Sequence, residues 1–352
     1  METWPLLCYV DGDVHETDPN KTAAVQYLIG TDEAGYGPNL GPLVVSATVW
    51  QVSDDLDSDD PDSEDLYQRL AGTIVRTPKQ VAEDPATRVA MADSKVLYQP
   101  GKGLRNLERG LWAAWAAMRV DPPCSWSELC RAMTPGAVDD LKAIPWHDGF
   151  DPAVPIDVEP HELPAVAMLR ERFDAAGVRL INLSGRAVFP GRFNGLLARY
   201  GSKGLALSNL TFELVADAVR QLPDGPISIV CDKHGGRNRY AGLLQGHFPD
   251  ALIEIYEEGR RRSRYRFGPP ERRVEITFQV KAESHLPVAL ASMASKYFRE
   301  LAMRALNGYW CERVPGLRPT AGYPQDAKRF REAIADMQDE LGVDDAVLWR
   351  DK

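Results

Sequence analysis

Apolar residues in this chain follow two spacings, and the change from one to the other marks its elements. Ala24 to Thr31 (AVQYLIGT) and Leu43 to Val52 (LVVSATVWQV) are apolar, β-branched runs of strand length. Leu104, Leu107, Leu111, Ala114, Trp115 and Met118 recur at helical spacing and predict an amphipathic helix over roughly residues 102 to 119. A second helical series, Leu207, Leu210, Leu214, Val215, Ala218, Val219 and Leu222, stops before the turn sequence Pro223-Asp224-Gly225. Ile227 to Cys231 (ISIVC) is a short strand that delivers Asp232, and Leu252 to Tyr256 and Val274 to Val280 are two more strand candidates. Pro287 to Leu306 reads as a helix rich in small residues, and Ala327, Phe330, Ala333, Ile334, Met337 and Leu341 mark a final helix.

Strands come early and helices are interleaved later, which predicts an α/β domain around a mixed, roughly five-stranded sheet flanked by helices, with insertions. Residues 1–23 are expected as a polar N-terminal segment, 24–341 as the domain and 342–352 as a C-terminal tail. Within the domain, residues 53–65 are expected as a solvated acidic loop. Residues 120–200, rich in Pro and Trp without a clean period, are expected as an irregular insertion.

Composition narrows the class. The 352 residues are 44% apolar and 26% charged, as in ordinary globular proteins. No apolar run approaches the roughly 18 residues that a membrane span needs. Met1 to Glu16 contains no basic residue, so a secretory leader is not expected. The five cysteines form no CxxC pair and read as free thiols, which fits a cytoplasmic protein. The net charge of −10 opposes nucleic-acid binding at first sight, because phosphate contacts need Lys and Arg. Eight acidic residues lie between Asp54 and Asp65, however, and without them the balance is −2. A local acidic segment therefore dominates the total and says little about a binding face.

Three acidic positions sit at strand ends, where ligand sites of open α/β sheets lie. Asp32-Glu33 follows the first strand and precedes Ala34-Gly35-Tyr36-Gly37. Asp232 follows ISIVC and precedes Lys233-His234-Gly235-Gly236. Glu283 follows VEITFQVKA and precedes a helix. Taken singly, each is more often a turn or cap residue than a ligand. Brought together, four carboxylates would repel one another unless divalent cations sat between them. Mg²⁺ suits a few carboxylates and retained waters, and two such ions about 4 Å apart can serve phosphodiester hydrolysis.

These residues resemble a known family. GTDEAGYGPNLGPLVVSATV (residues 30–49) is similar to the opening strand pair of bacterial type 2 ribonucleases H, the HII and HIII enzymes. Ala92-Asp93-Ser94-Lys95, IVCD (229–232), VKAESHLPVALASMASKYFRE (280–300) and TAGYP (320–324) resemble four further segments of that family in the same order. The resemblance implies a ribonuclease H-like fold and metal-dependent cleavage of RNA in an RNA–DNA hybrid, or of ribonucleotides in duplex DNA. It implies Asp32, Glu33, Asp232 and Glu283 as catalytic ligands of two Mg²⁺ or Mn²⁺ ions. It also implies that Gly35, Tyr36, Gly37, Ser94, Lys95 and Tyr323 contact substrate. Ser94 and Lys95 would touch backbone phosphate or orient the carboxylates, and Tyr323 would stack on a sugar.

Two positions depart from the HII pattern. Glu283 stands where HII has Asp and looks more like HIII, and Tyr36 stands where Arg is usual. The residues before the first strand are too few for the extra N-terminal domain of HIII, so that domain is not expected here. His234, two residues after Asp232, is a candidate proton shuttle or simply a polar loop residue. The run Arg260, Arg261, Arg262, Arg264, Arg266, Arg272 and Arg273, interleaved with Tyr265 and Phe267, is expected as a duplex-binding strip, with a solvated hairpin as the plain alternative. The expected protein is a cytoplasmic, monomeric nuclease. Its rivals are a nuclease for another structured nucleic acid and a catalytically silent nucleic-acid-binding module.

Overall fold

The computed structural model describes residues 24–54, 65–163 and 166–351. The segment 1–23 and most of the acidic loop lie outside them. A mixed sheet of seven strands organises the rest: β1 (Ala24–Ala34), β2 (Leu43–Asp54), β3 (Val178–Val188), β4 (Ile227–Asp232), β5 (Glu254–Glu258), β6 (Arg262–Phe267) and β7 (Val274–Gln279). Their order is β3-β2-β1-β4-β7-β6-β5. β1 pairs parallel to β4, and β4 parallel to β7. The other neighbours are antiparallel.

The expected α/β architecture is present, with a larger sheet than expected. β3 runs through the stretch 120–200 that was expected to be irregular, and that stretch also holds helices Trp126–Met133, Val166–Ala175 and Pro190–Tyr200. Arg179, Asn182, Ser184 and Arg186 break up the apolar run of β3, which hides it from a search for continuous hydrophobicity. β6 was obscured by its own arginines. Its sequence RSRYRF alternates strictly, and Ser263, Tyr265 and Phe267 point into the core.

Helices close both faces. On one side lie α1 (Arg105–Ala117) and the long α3 (Leu286–Arg313); α2 (Lys203–Gln221) lies on the other, and α4 (Pro324–Leu341) follows α3. The first turns of α3, Leu286 to Ser295, are buried throughout. Gly30 of β1 permits that approach: a Cβ there would come within 2.2 Å of the Pro287 carbonyl carbon. Trp112 of α1 meets Tyr297 edge-on at 5.6 Å. The fully buried Glu108 accepts from Tyr297 Oη (2.9 Å) and from the backbone of Ile156 and Asp157 (both 2.7 Å), so its carboxylate is satisfied. Across the sheet, Phe212 and Val215 of α2 pack on Ile29, Ile229 and Phe278. Each such side chain contributes roughly 1.5–3 kcal/mol by burial.

Residues 342–351 are no loose tail. A helical turn, Asp345–Leu348, leads to Trp349, which bridges to Leu40. Among the described residues no helix is long and apolar enough to cross a membrane.

Candidate functional site

Pairing register brings the acidic residues together. Thr31 lies opposite Cys231 in the parallel β1–β4 pair, so Asp32 and Asp232 leave adjacent strands at the same level. Asp232 is in turn level with Gln279 at the end of β7. Lys281 then adopts a left-handed conformation (φ 63°) and opens the short 3-10 helix Ala282–Ser284, which carries Glu283 back to the strand ends. A lysine held at positive φ is a strained choice, and such strain tends to gather at functional sites.

The carboxylates share one electric field. Burial pushes Asp32 well above the usual carboxylate range, and the charges of Glu33 and Glu283 push it further. Glu33 is raised to about 7 by burial and by Asp232 and Glu283, against a lowering by Lys95. Asp232 is raised by burial and by Glu283, and the backbone N–H groups of Lys233 and Ala282 oppose the shift. Lys95 Nζ sits 3.2 Å from Glu283 Oε1 and 3.8 Å from Asp93 Oδ2. One mostly exposed ammonium does not neutralise four acids.

Hydroxyls from α3 fix the buried acid. Ser292 hydrogen-bonds the Asp32 carboxylate, and its Oγ lies 3.1 Å from Ser94 Oγ. Ser295 Oγ donates to the Asp32 carbonyl oxygen at 3.0 Å and meets Ser46 Oγ at 2.8 Å. Ser94 is itself buried and reaches the Asp32 carboxylate only through Ser292. The expected site residues did not include Ser292 and Ser295, although their i,i+3 spacing puts them on one helix face.

The glycine loop is built for close approach. Gly35 has φ +88°, and a Cβ on it would lie 2.4 Å from the Pro42 carbonyl oxygen. Gly37 is exposed and lies beside the ring of Tyr323, which is 59% exposed. Tyr36 does not extend outward. It is half-buried, packs against the apolar cluster that includes Leu43, Phe193 and Leu207, and turns its hydroxyl toward Gly235.

Two expected contributors have other roles. His234 is buried, lies 3.1 Å from Ser208 Oγ through Nδ1, and meets Phe212, Tyr240 and Phe278. Burial holds its pKa down to about 3, so it is a neutral core residue and not a proton shuttle. The basic strip is also corrected. Tyr265 and Phe267 point into the core and offer no stacking surface. Arg262 pairs with Glu257 (2.7 Å), Arg264 and Arg266 with Glu275 (3.3 and 2.9 Å), and Arg273 with Glu254 (3.4 Å). Arg272 caps helix α2 through the carbonyls of Val219 and Leu222. Arg260 and Arg261 remain exposed at the hairpin turn.

The four acids are a hard-oxygen donor set of the kind Mg²⁺ and Mn²⁺ take, and their mutual repulsion fits a site meant to hold cations. Among the described residues, no three Asp, Glu, His or Cys side chains are drawn into a ligand cage.

Fold and site together define an α/β protein with a carboxylate cluster at the ends of its parallel strands. No family profile matches the chain, and no curated protein does. Among solved structures, it is similar to the ribonuclease H2 from Pyrococcus horikoshii, with 16% identity, 92% of each chain covered and a TM-score of 0.38. It is also similar to the RNase HII of Archaeoglobus fulgidus, solved with PCNA, with 14% identity, 91% of this chain and 92% of that one covered and a TM-score of 0.37. A third likeness is Bst-RNase HIII in complex with Mn²⁺, with 14% identity, 97% of this chain and 72% of that one covered and a TM-score of 0.35.

Proposed function

We propose that this protein is a divalent-metal-dependent endonuclease of the type 2 ribonuclease H kind, which hydrolyses RNA paired with DNA or ribonucleotides joined into duplex DNA. The observation that carries this reading is the meeting of Asp32, Glu33, Asp232 and Glu283 at adjacent parallel strand ends, where burial and neighbouring carboxylates raise Asp32, Glu33 and Asp232. These four would hold Mg²⁺ or Mn²⁺. Bound divalent cations would supply Lewis-acid help to an attacking water and to the departing 3′ oxygen. Ser292 and Ser94 orient Asp32, and Lys95, tethered to Glu283, is close enough to turn to a phosphate. The exposed backbone of Gly37 and the Tyr323 ring offer the substrate strand a narrow platform of amide, aromatic face and hydroxyl. The protein is placed in the cytoplasm and acts as a monomer in this reading.

Cleavage mapping tests it. A 5′-labelled RNA–DNA hybrid, a duplex with one embedded ribonucleotide and a branched DNA are each incubated with Mg²⁺ or Mn²⁺, with Asp32→Asn as control. Cuts in the RNA strand that vanish in the variant support the reading. Cutting of branched DNA alone would favour a nuclease for another structured nucleic acid, a reading motivated by Tyr36, which brings no charge to the loop. No metal-dependent cutting by either protein would leave a silent binding module.

A further inference from the structure

The loop carrying Gly35, Tyr36 and Gly37 is tied down from the far end of the chain. Arg350 is fully buried, and its Nη2 donates to the carbonyl oxygens of Gly35 (2.7 Å) and Pro38, with the Tyr36 oxygen at 3.5 Å. Backbone contacts reinforce the tie: Arg350 N donates to Asn39 O at 2.9 Å, and Asn39 Nδ2 donates to Arg350 O at 3.1 Å. The guanidinium also lies 4.5 Å from the centre of the Phe193 ring.

Arg299 holds the other side of the same loop. Also buried, it donates to the carbonyls of Pro42 (2.6 Å), Leu40 (3.1 Å) and Ala321 (3.2 Å), the last just ahead of Gly322-Tyr323. The hydrogen-bond partners of both guanidinium groups are backbone carbonyls, and Nε and Nη1 of Arg350 have no partner among the described residues. Burial and the charge of Arg299 hold Arg350 down to about 9. Charge buried without a counter-ion is costly, and well-packed apolar side chains usually serve better if stability alone is needed. A planar fork that can reach several carbonyls at once is what Arg offers and Lys does not.

We propose that Arg350, together with Arg299, is a positioning residue that pre-organises the Gly35–Pro38 loop and the adjoining Tyr323 for the phosphodiester backbone of the substrate strand, which makes the C-terminal segment part of the substrate site. This rests on the nuclease reading for its substrate, but the hold on the loop is measurable without it. Arg350→Met and Arg350→Lys in the full chain are compared with wild type by steady-state cleavage of the hybrid and by amide hydrogen exchange. The Met variant is expected to raise KM about tenfold with kcat within about threefold, and to speed exchange at Gly35–Leu40 while core strands keep their protection. The Lys variant should fall between. Wild-type KM and wild-type exchange in a folded Met variant overturn the proposal. If Arg350→Met does not fold, the Lys variant decides by the same two readouts. A wild type that cuts no hybrid removes the nuclease reading; loop exchange then decides the positioning role by itself.

Discussion

Lys95 places its ammonium nitrogen 3.2 Å from Oε1 of Glu283, a residue 188 positions away in the chain. In this arrangement Lys95 is a solvent-exposed counter-ion at the edge of the acidic cluster, its side chain 79% exposed. It competes with any cation for Glu283. Lys95→Met is therefore expected to tighten Mn²⁺ binding about fivefold, the equivalent of roughly 1 kcal/mol for an exposed pair. Calorimetric titration of both proteins measures this, and weaker binding by the variant would refute the competition.

Asp32→Asn removes one charge from a cluster whose members repel one another. Without metal, the variant should melt about one to two degrees higher than wild type, since about 1 kcal/mol moves a chain of this length by roughly 1–2 °C. Mn²⁺ should stabilise wild type by mass action and the variant far less. Cleavage should fall by about a thousandfold or more. Thermal melts in chelator and in Mn²⁺ check the first two points. Equal metal stabilisation in both proteins would show that Asp32 takes no part in cation binding.

His147 gives the fold a pH dependence. It stacks on Trp126 at 5.7 Å, touches Phe150 and Phe189 edge-on, and both ring nitrogens are buried without partners among the described residues. Burial lowers its pKa from 6.5 to about 3. Because the unfolded chain binds the proton more readily, the stability tied to neutral His147 is complete above pH 6.5 and is lost as pH falls from there toward 3. One pH unit inside that window costs about 1.4 kcal/mol. His147→Phe should lose about 2 kcal/mol less than wild type between about pH 6.5 and 5 and be modestly more stable at about pH 7. Urea midpoints at the two ends of that range report it; parallel losses in the two proteins would count against a buried neutral ring.

Gly30→Ala should be among the most damaging single-methyl changes available. The added carbon meets the backbone of Pro287 and Val288, at 2.2 and 2.3 Å, and neither is a flexible side chain. A loss of about 3 kcal/mol or more is expected, together with reduced cleavage, because pushing α3 away moves Ser292 and Ser295 off Asp32. Denaturant unfolding checks the first effect. A fully stable, fully active variant would contradict the close packing of α3 on β1.

What the chain determines by itself here is local. An apolar, β-branched run that ends in an acid is recognisable within about ten residues, so Asp32, Glu33 and Asp232 could be placed at strand ends without coordinates. The stretch Pro287 to Leu306 was likewise recognisable as a helix rich in small residues. Tertiary structure decided everything that depends on a partner across the sheet. Parallel register put Asp32 level with Asp232, and the left-handed turn at Lys281 returned Glu283 to them. The arginines of β6 read as a free basic strip until the adjacent strands supplied Glu257 and Glu275. Tyr36 turned inward because Gly235 leaves room for its hydroxyl. Arg350 reaches Gly35 across 315 positions. Periodicity records which side of an element is buried. It does not record what lies opposite, and for charged and aromatic groups the opposing group decides whether the side chain is free to bind or already occupied.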